Sequence, residues 1–371
     1  MLTVFTIARL SQPRSTYNAR RMARIGIIGT GWGARVQVPA FREAGLDVVA
    51  LAGSHRNKTR RIAEELGVVA HDEWTSLVAA PDVDVVSVVT PPSEHVKMAL
   101  AALANGKHVI CEKPTALNAA EAEQLVDEAN KHPDLVAIID HEMRFVPAMR
   151  AMRERIAELG AIRYAEVRYA SPSRGDRKRE WNWWSDAARG GGVWGAVGSH
   201  YVDALRYLGL EIEAAQATLV TTIKERPFGD AMREVTSDDF AAVHLKLSDG
   251  AVAAMTFSGV SAGPDEPTTL TVHGENGAMR FVSEELLVAL QGEPFSRAAG
   301  NELGERRGNS PGGAFGSGTF YLGRALEAAL DGGDRDALAP AATFADGLAQ
   351  QKVLDAARES ARADGRWIAI R

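Results

Sequence analysis

The chain has 371 residues, 46% of them hydrophobic and 24% charged, with a formal charge of -6 and one cysteine, Cys111. Such a length leaves room for two domains, and the composition is that of a globular protein with a sizeable core. The acidic balance argues against a nucleic-acid footprint, the lone cysteine excludes an intrachain disulfide and points to a reducing, cytoplasmic setting, and no apolar run approaches the roughly 18 residues of a membrane span.

Residues 1–21 are polar, basic and aperiodic, without the apolar centre of a secretory signal. They read as a disordered extension, and Met22, directly before the first strand, is an alternative start. The stretch Arg24-Ile25-Gly26-Ile27-Ile28 is a short apolar strand, followed by Gly29-Thr30-Gly31-Trp32-Gly33-Ala34, which fills a G-x-G-x-x-A pattern. In that pattern Gly29 permits a tight turn, Gly31 leaves a pyrophosphate room to approach, and Ala34 lets the helix pack close to the strand. Amides at the helix start then face the phosphates. The helix runs to Ala44, with Pro39 inside it, and stops at Gly45.

Further along, strands are expected at 47–53, 83–90, 108–111 and 136–140, and helices at 57–67, 93–105 and 118–130. Asn57 and Ser93 are the expected N-caps, and Asn118 with Glu121 resembles a capping box. Apolar strands alternating with helices predict a parallel sheet covered on both faces. After about residue 143 the pattern changes. A helix at 148–159 precedes alternating strands at 162–169, 214–222, 240–247, 252–258, 268–273 and 278–281, with Asp249-Gly250 as a hairpin turn. That is an α+β second domain with a large, mostly antiparallel open sheet. Residues 293–318 read as a mobile loop, and 319–330 and 341–362 as helices.

Two stretches carry chemistry. Glu112-Lys113-Pro114 follows a buried strand, so Lys113 sits at a carboxyl end, where open α/β sheets bind ligands and where partial desolvation suits a lysine to acid–base work. The alternative there is a surface lysine paired with Glu112. The run Gly190-Gly191-Gly192 leads into a helix bearing Gly198, His200 and Asp203, and His200 suits a substrate hydroxyl or a structural role.

The Gly29–Ala34 loop, Glu112-Lys113-Pro114, His141-x-x-Arg144-Phe145-x-Pro147, the Gly190–His200–Asp203 stretch and Phe344-Ala345-Asp346-Gly347-Leu348 occur in one order. Together they resemble the glucose-fructose oxidoreductase, inositol dehydrogenase and rhizopine-catabolism (Gfo/Idh/MocA) family, over about residues 24–371. The resemblance implies a Rossmann dinucleotide-binding domain at 22–142 and a substrate-binding and oligomerisation domain at 143–371. It implies hydride transfer between a nicotinamide cofactor and a sugar, cyclic polyol or derivative, with Lys113 and His200 catalytic. The implied cofactor contacts are Gly29, Thr30, Gly31, Trp32, Thr90, Pro91, His95, Glu112 and Lys113. Arg144, His200 and Asp203 are implied on the substrate side, with no metal. Ala196 stands where the family's motif has an aspartate, four residues before the histidine. His200 is therefore expected to be neutral at pH 7, with Asp203 the nearest group to orient it. A cofactor-bound sensor without turnover is the alternative function.

The second strand ends in Gly53-Ser54-His55-Arg56-Asn57-Lys58, with no acid for a ribose 2′-OH; Ser54 and Arg56 suit a 2′-phosphate, hence NADP over NAD. Asp72 and Glu73 read as too far along the chain to replace that acid. Trp181, Trp183 and Trp184 offer faces for a sugar ring, or serve the core. Arg174, Arg177, Lys178 and Arg179 lie in the same loop and would hold an acidic substrate if they overhang the site. An open sheet with helices on one face leaves a large apolar patch, so a homodimer or homotetramer is expected.

Overall fold

The computed structural model describes residues 22–299 and 313–371; the expected extension at 1–21 and half of the expected loop at 293–318 lie outside the described residues. Runs of Val, Ile and Leu form the largely buried strands β1 (Arg24–Ile28), β2 (Asp47–Ala52), β4 (Val85–Val88), β5 (His108–Cys111) and β6 (Ala137–Ile139), with the short, partly exposed β3 (Val69–His71) at the edge. They pair in parallel in the order β6-β5-β4-β1-β2-β3. The connecting helices are α1 (Val38–Glu43), α2 (Arg56–Leu66), α3 (Trp74–Val78), α4 (His95–Ala104) and α5 (Ala119–Asn130). Strand order reverses between β1 and β4, which opens the ligand crevice of a Rossmann fold beyond their carboxyl ends.

Local signals account for most boundaries. Gly67 at φ +65° ends α2, and Asn118 Oδ1 accepts the Glu121 amide at 3.0 Å. The Glu121 carboxylate reaches back to the Leu117 amide instead of Asn118, so the box is shifted by one residue. Two expected caps move. His55, not Asn57, precedes α2, and Ser93 lies inside a 3₁₀ turn, Pro92–Glu94, that Pro91-Pro92 imposes before α4. The edge strand β3 and the one-and-a-half-turn α3 are too short to show a period and were not expected from the pattern.

The second sheet is built from β7 (Ile162–Ala170), β8 (Ile212–Val220), β11 (Phe240–Leu247), β12 (Val252–Ser258), β13 (Thr269–Gly274), β14 (Gly277–Val282), β15 (Glu285–Leu290), β16 (Ser296–Ala299) and β18 (Ile368–Ala369). Its order is β16-β15-β14-β13-β7-β12-β11-β8-β18, and β7–β12 is the parallel pair in an otherwise antiparallel sheet. A small hairpin, β9 (Glu225–Phe228) and β10 (Ala231–Glu234), stands apart. The turn at Asp249-Gly250 takes positive φ at both residues, 66° and 80°. One face of the sheet is covered by α6 (Pro147–Arg155), α7 (Ser199–Tyr207) and α9 (Phe344–Arg362), whose Met152, Leu205 and Leu354 share a core with Val167, Leu245 and Phe257. On the other face Tyr164 and Val252 are exposed among Glu166, Arg168 and Lys246, so the expected continuous apolar patch is broken by charges.

Helix α8 (Gly313–Leu330) begins six residues before its expected start, and Ser296–Ala299 is strand, so the reading of 293–318 as a loop fails at both ends. Glycine-rich Gly313-Ala314-Phe315-Gly316-Ser317-Gly318 has poor helix propensity, but close packing requires its small residues: a Cβ on Gly318 would lie 2.5 Å from the Glu142 carbonyl. Leu322 and Leu326 of α8 enter the core of the first sheet, and β17 (Ala342–Thr343) pairs antiparallel with β6. The chain thus returns to the first sheet before α9, which a Thr343–Asp346 capping box starts.

Candidate active site

The carboxyl ends of β1, β2, β4, β5 and β6 converge on one crevice. Gly29 holds φ +144°, and its amide bonds the Ala52 carbonyl at 2.9 Å; a Cβ there would come 2.1 Å from Val89 O. At Gly31 a Cβ would meet nothing within 4 Å, so this is the open side of the cradle. The close helix–strand approach expected at Ala34 falls instead at Gly33, where a Cβ would lie 2.7 Å from Ile27 Cγ2; Ala34 is also buried. These residues fit a dinucleotide pyrophosphate: a strained turn with an unfilled approach at Gly31 and a helical start, here one π-type turn, Gly33–Gln37.

Lys113 leaves β5 beside this loop. Its Nζ donates to the Ala196 carbonyl at 3.1 Å and lies 4.0 Å from Glu112 Oε2, and the Lys113–Pro114 peptide is cis. Beneath it lie three buried acids. Gln37 Nε2 donates to Asp140 Oδ2 at 2.8 Å and to Glu112 Oε1 at 3.2 Å, and Ser87 Oγ donates to Gln37 Oε1. Burial raises the carboxyls of Glu112, Asp140 and Glu142; Lys113 pulls against it, while the acids reinforce one another at Asp140 and Glu142. Glu112 is thus buried under the lysine, not open to a cofactor. Sequence reasoning did not single out Gln37, Asp140 or Glu142, although Asp140-His141-Glu142 directly follows a β-strand, a position that ligand-binding groups favour.

His200 stands at the start of α7, after a second π-type turn, Trp194–Gly198. It is buried, its ring stacks on Phe315 of α8 at 4.3 Å, and its Nδ1 lies 3.9 Å from Glu142 Oε2 without a hydrogen-bond partner. Burial first, then Lys113 and His141, lower its pKa well below the ordinary value, so the ring is neutral at pH 7 as expected. Asp203 does not orient it. Both Asp203 oxygens take a fork from Arg144, Nη2 at 2.6 Å and Nε at 2.9 Å, and both residues are buried. The pair expected on the substrate side is a structural clamp, which Asp346 joins at 3.3 Å.

Other expected contacts divide. Trp32 is half-buried at the loop, and Thr90 and Pro91 sit half-buried at the end of β4. His95 is fully buried, with its ring nitrogens 2.8 Å from Thr90 O and 2.9 Å from Pro114 O, and burial lowers its pKa to about 4. It ties those two loops together and is closed to a cofactor. Ser54 and Arg56 are exposed beyond β2, but Arg56 Nη2 meets Glu73 Oε1 at 2.5 Å and Arg60 meets Asp72. Because β3 pairs in parallel beside β2, the acids that follow β3 lie beside α2 after all. Trp181 packs under the β9–β10 hairpin, its Nε1 donating to Glu234 O, with Arg233 over its ring. Trp183 leans on Trp184, and of the three only Trp184 lines a cavity of about 420 Å³ that also reaches Trp32. Among the described residues no cluster of His, Cys, Asp and Glu is arranged to hold a metal ion, and no helix is long and apolar enough to cross a membrane.

Comparison with known proteins agrees with this geometry. Residues 23–139 match the oxidoreductase family with an NAD-binding Rossmann fold, and residues 149–280 match the GFO/IDH/MocA C-terminal domain. Glucose-fructose oxidoreductase domain-containing protein 2 of Bos taurus is 30% identical over 363 residues, 93% of each chain. Among solved structures, an oxidoreductase domain protein from Kribbella flavida superposes with a TM-score of 0.84 at 26% identity, covering 94% of this chain and 99% of that one. Levoglucosan dehydrogenase, in complex with NADH and levoglucosan, gives 0.83 at 24% identity, covering 95% and 100%, a likeness of fold. A Rossmann crevice with a lysine at the end of β5, the second sheet behind it and matches along both domains place this chain in the Gfo/Idh/MocA oxidoreductase family.

Proposed function

We propose that the chain is an NADP-dependent oxidoreductase acting on a CH–OH or carbonyl carbon of a sugar, cyclic polyol or derivative, with residues 22–142 binding the cofactor and 143–371 the substrate. The observation that carries this is Lys113, only partly exposed and hung from the Ala196 carbonyl in the crevice that His200 also enters. Gly29, Thr30, Gly31 and Trp32 would hold the dinucleotide, which when bound supplies or accepts the hydride. Lys113 moves the proton at the substrate oxygen as the carbon is oxidised or reduced. His200, neutral and without a carboxylate fork, hydrogen-bonds the same hydroxyl and orients it.

NADP is favoured because the segment from Gly53 to Lys58 has no carboxylate and presents Ser54, Arg56 and Lys58 to solvent. Glu73 pairs with Arg56, and a 2′-phosphate would compete for that guanidinium. Fluorescence titration tests this: NADPH binds more tightly than NADH, and Arg56→Ala weakens NADPH more than NADH. Tighter NADH binding would overturn the choice. Absorbance decay of NADPH with a panel of ketosugars and oxo-sugars tests the reaction, and absence of turnover across the panel favours the sensor reading.

A further inference from the structure

Beside the crevice the 420 Å³ cavity has an unusual charge distribution. Its wall includes Arg35 from the turn after the glycine loop, Arg174 and Arg179 from the loop after β7, and Arg226 from β9. None of the four has a carboxylate oxygen within salt-bridge distance among the described residues. Three of them donate to carbonyls: Arg226 to Asp176 O at 2.7 Å and Arg174 O at 2.6 Å, Arg179 to Ser173 O at 2.7 Å, and Arg35 to Gly31 O at 3.4 Å. Arg226 is buried, and the Arg174 guanidinium lies 3.9 Å over the Trp184 ring.

Two acids also line the cavity, and both are already engaged. Asp238 Oδ2 takes the Trp194 amide at 2.7 Å, and the two Asp239 oxygens take the amides of Thr222 and Ile223 at 2.7 and 2.8 Å. Four guanidinium groups therefore share the cavity with two carboxylates already bonded to backbone amides, and Asp239, with Asp176 nearby, offsets part of the Arg226 charge. Burial first, then Arg179 and Arg226, lower the Arg174 pKa to about 9. Like charges kept together without counterions are costly unless a ligand supplies the opposite charge.

We propose that this cavity is the substrate pocket and that it selects an oxyanion-bearing sugar derivative, a carboxylate or a phosphate carried on the ring. The guanidinium fork matches the two oxygens of either group, Trp184 backs the Arg174 fork, and Trp32 gives a flat face to the ring. The volume is within the usual range for a small-molecule pocket. Neither Lys113 nor His200 lines it, but it borders their crevice: Val197 on its wall adjoins Ala196, whose carbonyl holds Lys113, and Trp32 belongs to the glycine loop. This inference rests on the oxidoreductase reading only for where the reacting carbon lies.

Titration calorimetry on the full chain saturated with NADPH separates the possibilities, with D-glucuronate, glucose 6-phosphate and glucose as probes. One anion, or both, binds roughly tenfold or more tightly than glucose, and Arg174→Gln or Arg179→Gln removes about that factor while NADPH affinity holds. The stronger anion identifies carboxylate or phosphate as the charge the pocket is shaped for. Equal binding of all three probes, a preference that survives both substitutions, or a parallel loss of NADPH affinity overturns the proposal, the last because the arginines would then serve the cofactor. Arg179→Gln, at an exposed side chain, keeps the test open if Arg174→Gln fails to fold. Turnover is read separately: anion binding without turnover sustains the pocket and fails the oxidoreductase reading, and turnover of glucose with no anion preference does the reverse.

Discussion

Lys113 and His200 enter the same crevice with unequal means. Lys113 carries protons on a nitrogen held by one carbonyl, whereas His200 is neutral, stacked on Phe315 and without a hydrogen bond at Nδ1. In place of the family's aspartate, position 196 offers a backbone oxygen to the lysine and no carboxylate to the histidine. Lys113→Ala should therefore lower kcat by about 10²–10⁴-fold, the range for a positioned general acid or base. His200→Ala should cost much less and act mainly on KM. Steady-state kinetics of both variants on one substrate checks this, and equal losses in kcat would refute the division of labour.

Between elements, the contact of consequence is α8 against the turn at Glu142. Phe315 reaches His200 only because Gly318 lets the helix backbone approach the Glu142 carbonyl. Gly318→Ala should force the two apart, destabilising the fold by roughly 1–3 kcal/mol as overpacking does. Because the displaced helix carries Phe315, kcat should fall while NADPH affinity, set by the far end of the crevice, changes little. Thermal melts with parallel kinetics and titration read all three; unchanged melting and kcat would mean that α8 shifts without cost.

For the whole molecule, proton linkage and assembly are the accessible properties. Burial holds His95 and His141 at about 4, below the unfolded value, so the unfolded chain binds more protons between about pH 6.5 and 4 and stability falls on acidification through that window. Buried Asp140 has the opposite sign: its pKa is raised, so its contribution is lost as pH rises. The melting temperature of His95→Gln relative to wild type should therefore improve as pH drops from 7 to 5, and that of Asp140→Asn should improve as pH rises from 5 to 8. Flat differences across pH would contradict both assignments. Assembly should use the outer face of the second sheet, where Tyr164 and Val252 stand among charged neighbours. A dimeric or tetrameric mass by solution scattering at micromolar concentration is the expected result, and a monomer would leave that face without a partner copy.

Local pattern was enough to determine the glycine turn, the β5 and β11 strands, the end of α2 at Gly67 and the placement of Lys113 at a strand's carboxyl end, because side-chain periodicity and turn geometry act over a few residues. The neutral state of His200 was legible too, since it follows from a missing carboxylate at position 196 and a position facing inward. What the sequence hid was partnership at a distance. The hairpin β9–β10 has four consecutive exposed residues in one strand and Pro227 in the other, so no alternation marked it. The Arg144–Asp203 clamp joins residues 59 apart, Arg56–Glu73 joins residues 17 apart through the pairing of β2 with β3, and the arginine-lined cavity gathers side chains from the glycine-loop turn, the loop after β7 and the β9–β10 hairpin. Only the tertiary structure could decide these, because the energy of a charge depends on which opposite charge lies within a few ångströms and on how much water remains around it. Packing at a distance likewise turned a glycine-rich segment that propensity alone assigns to a loop into helix: close approach of Gly318 to Glu142 stabilises what its backbone entropy opposes.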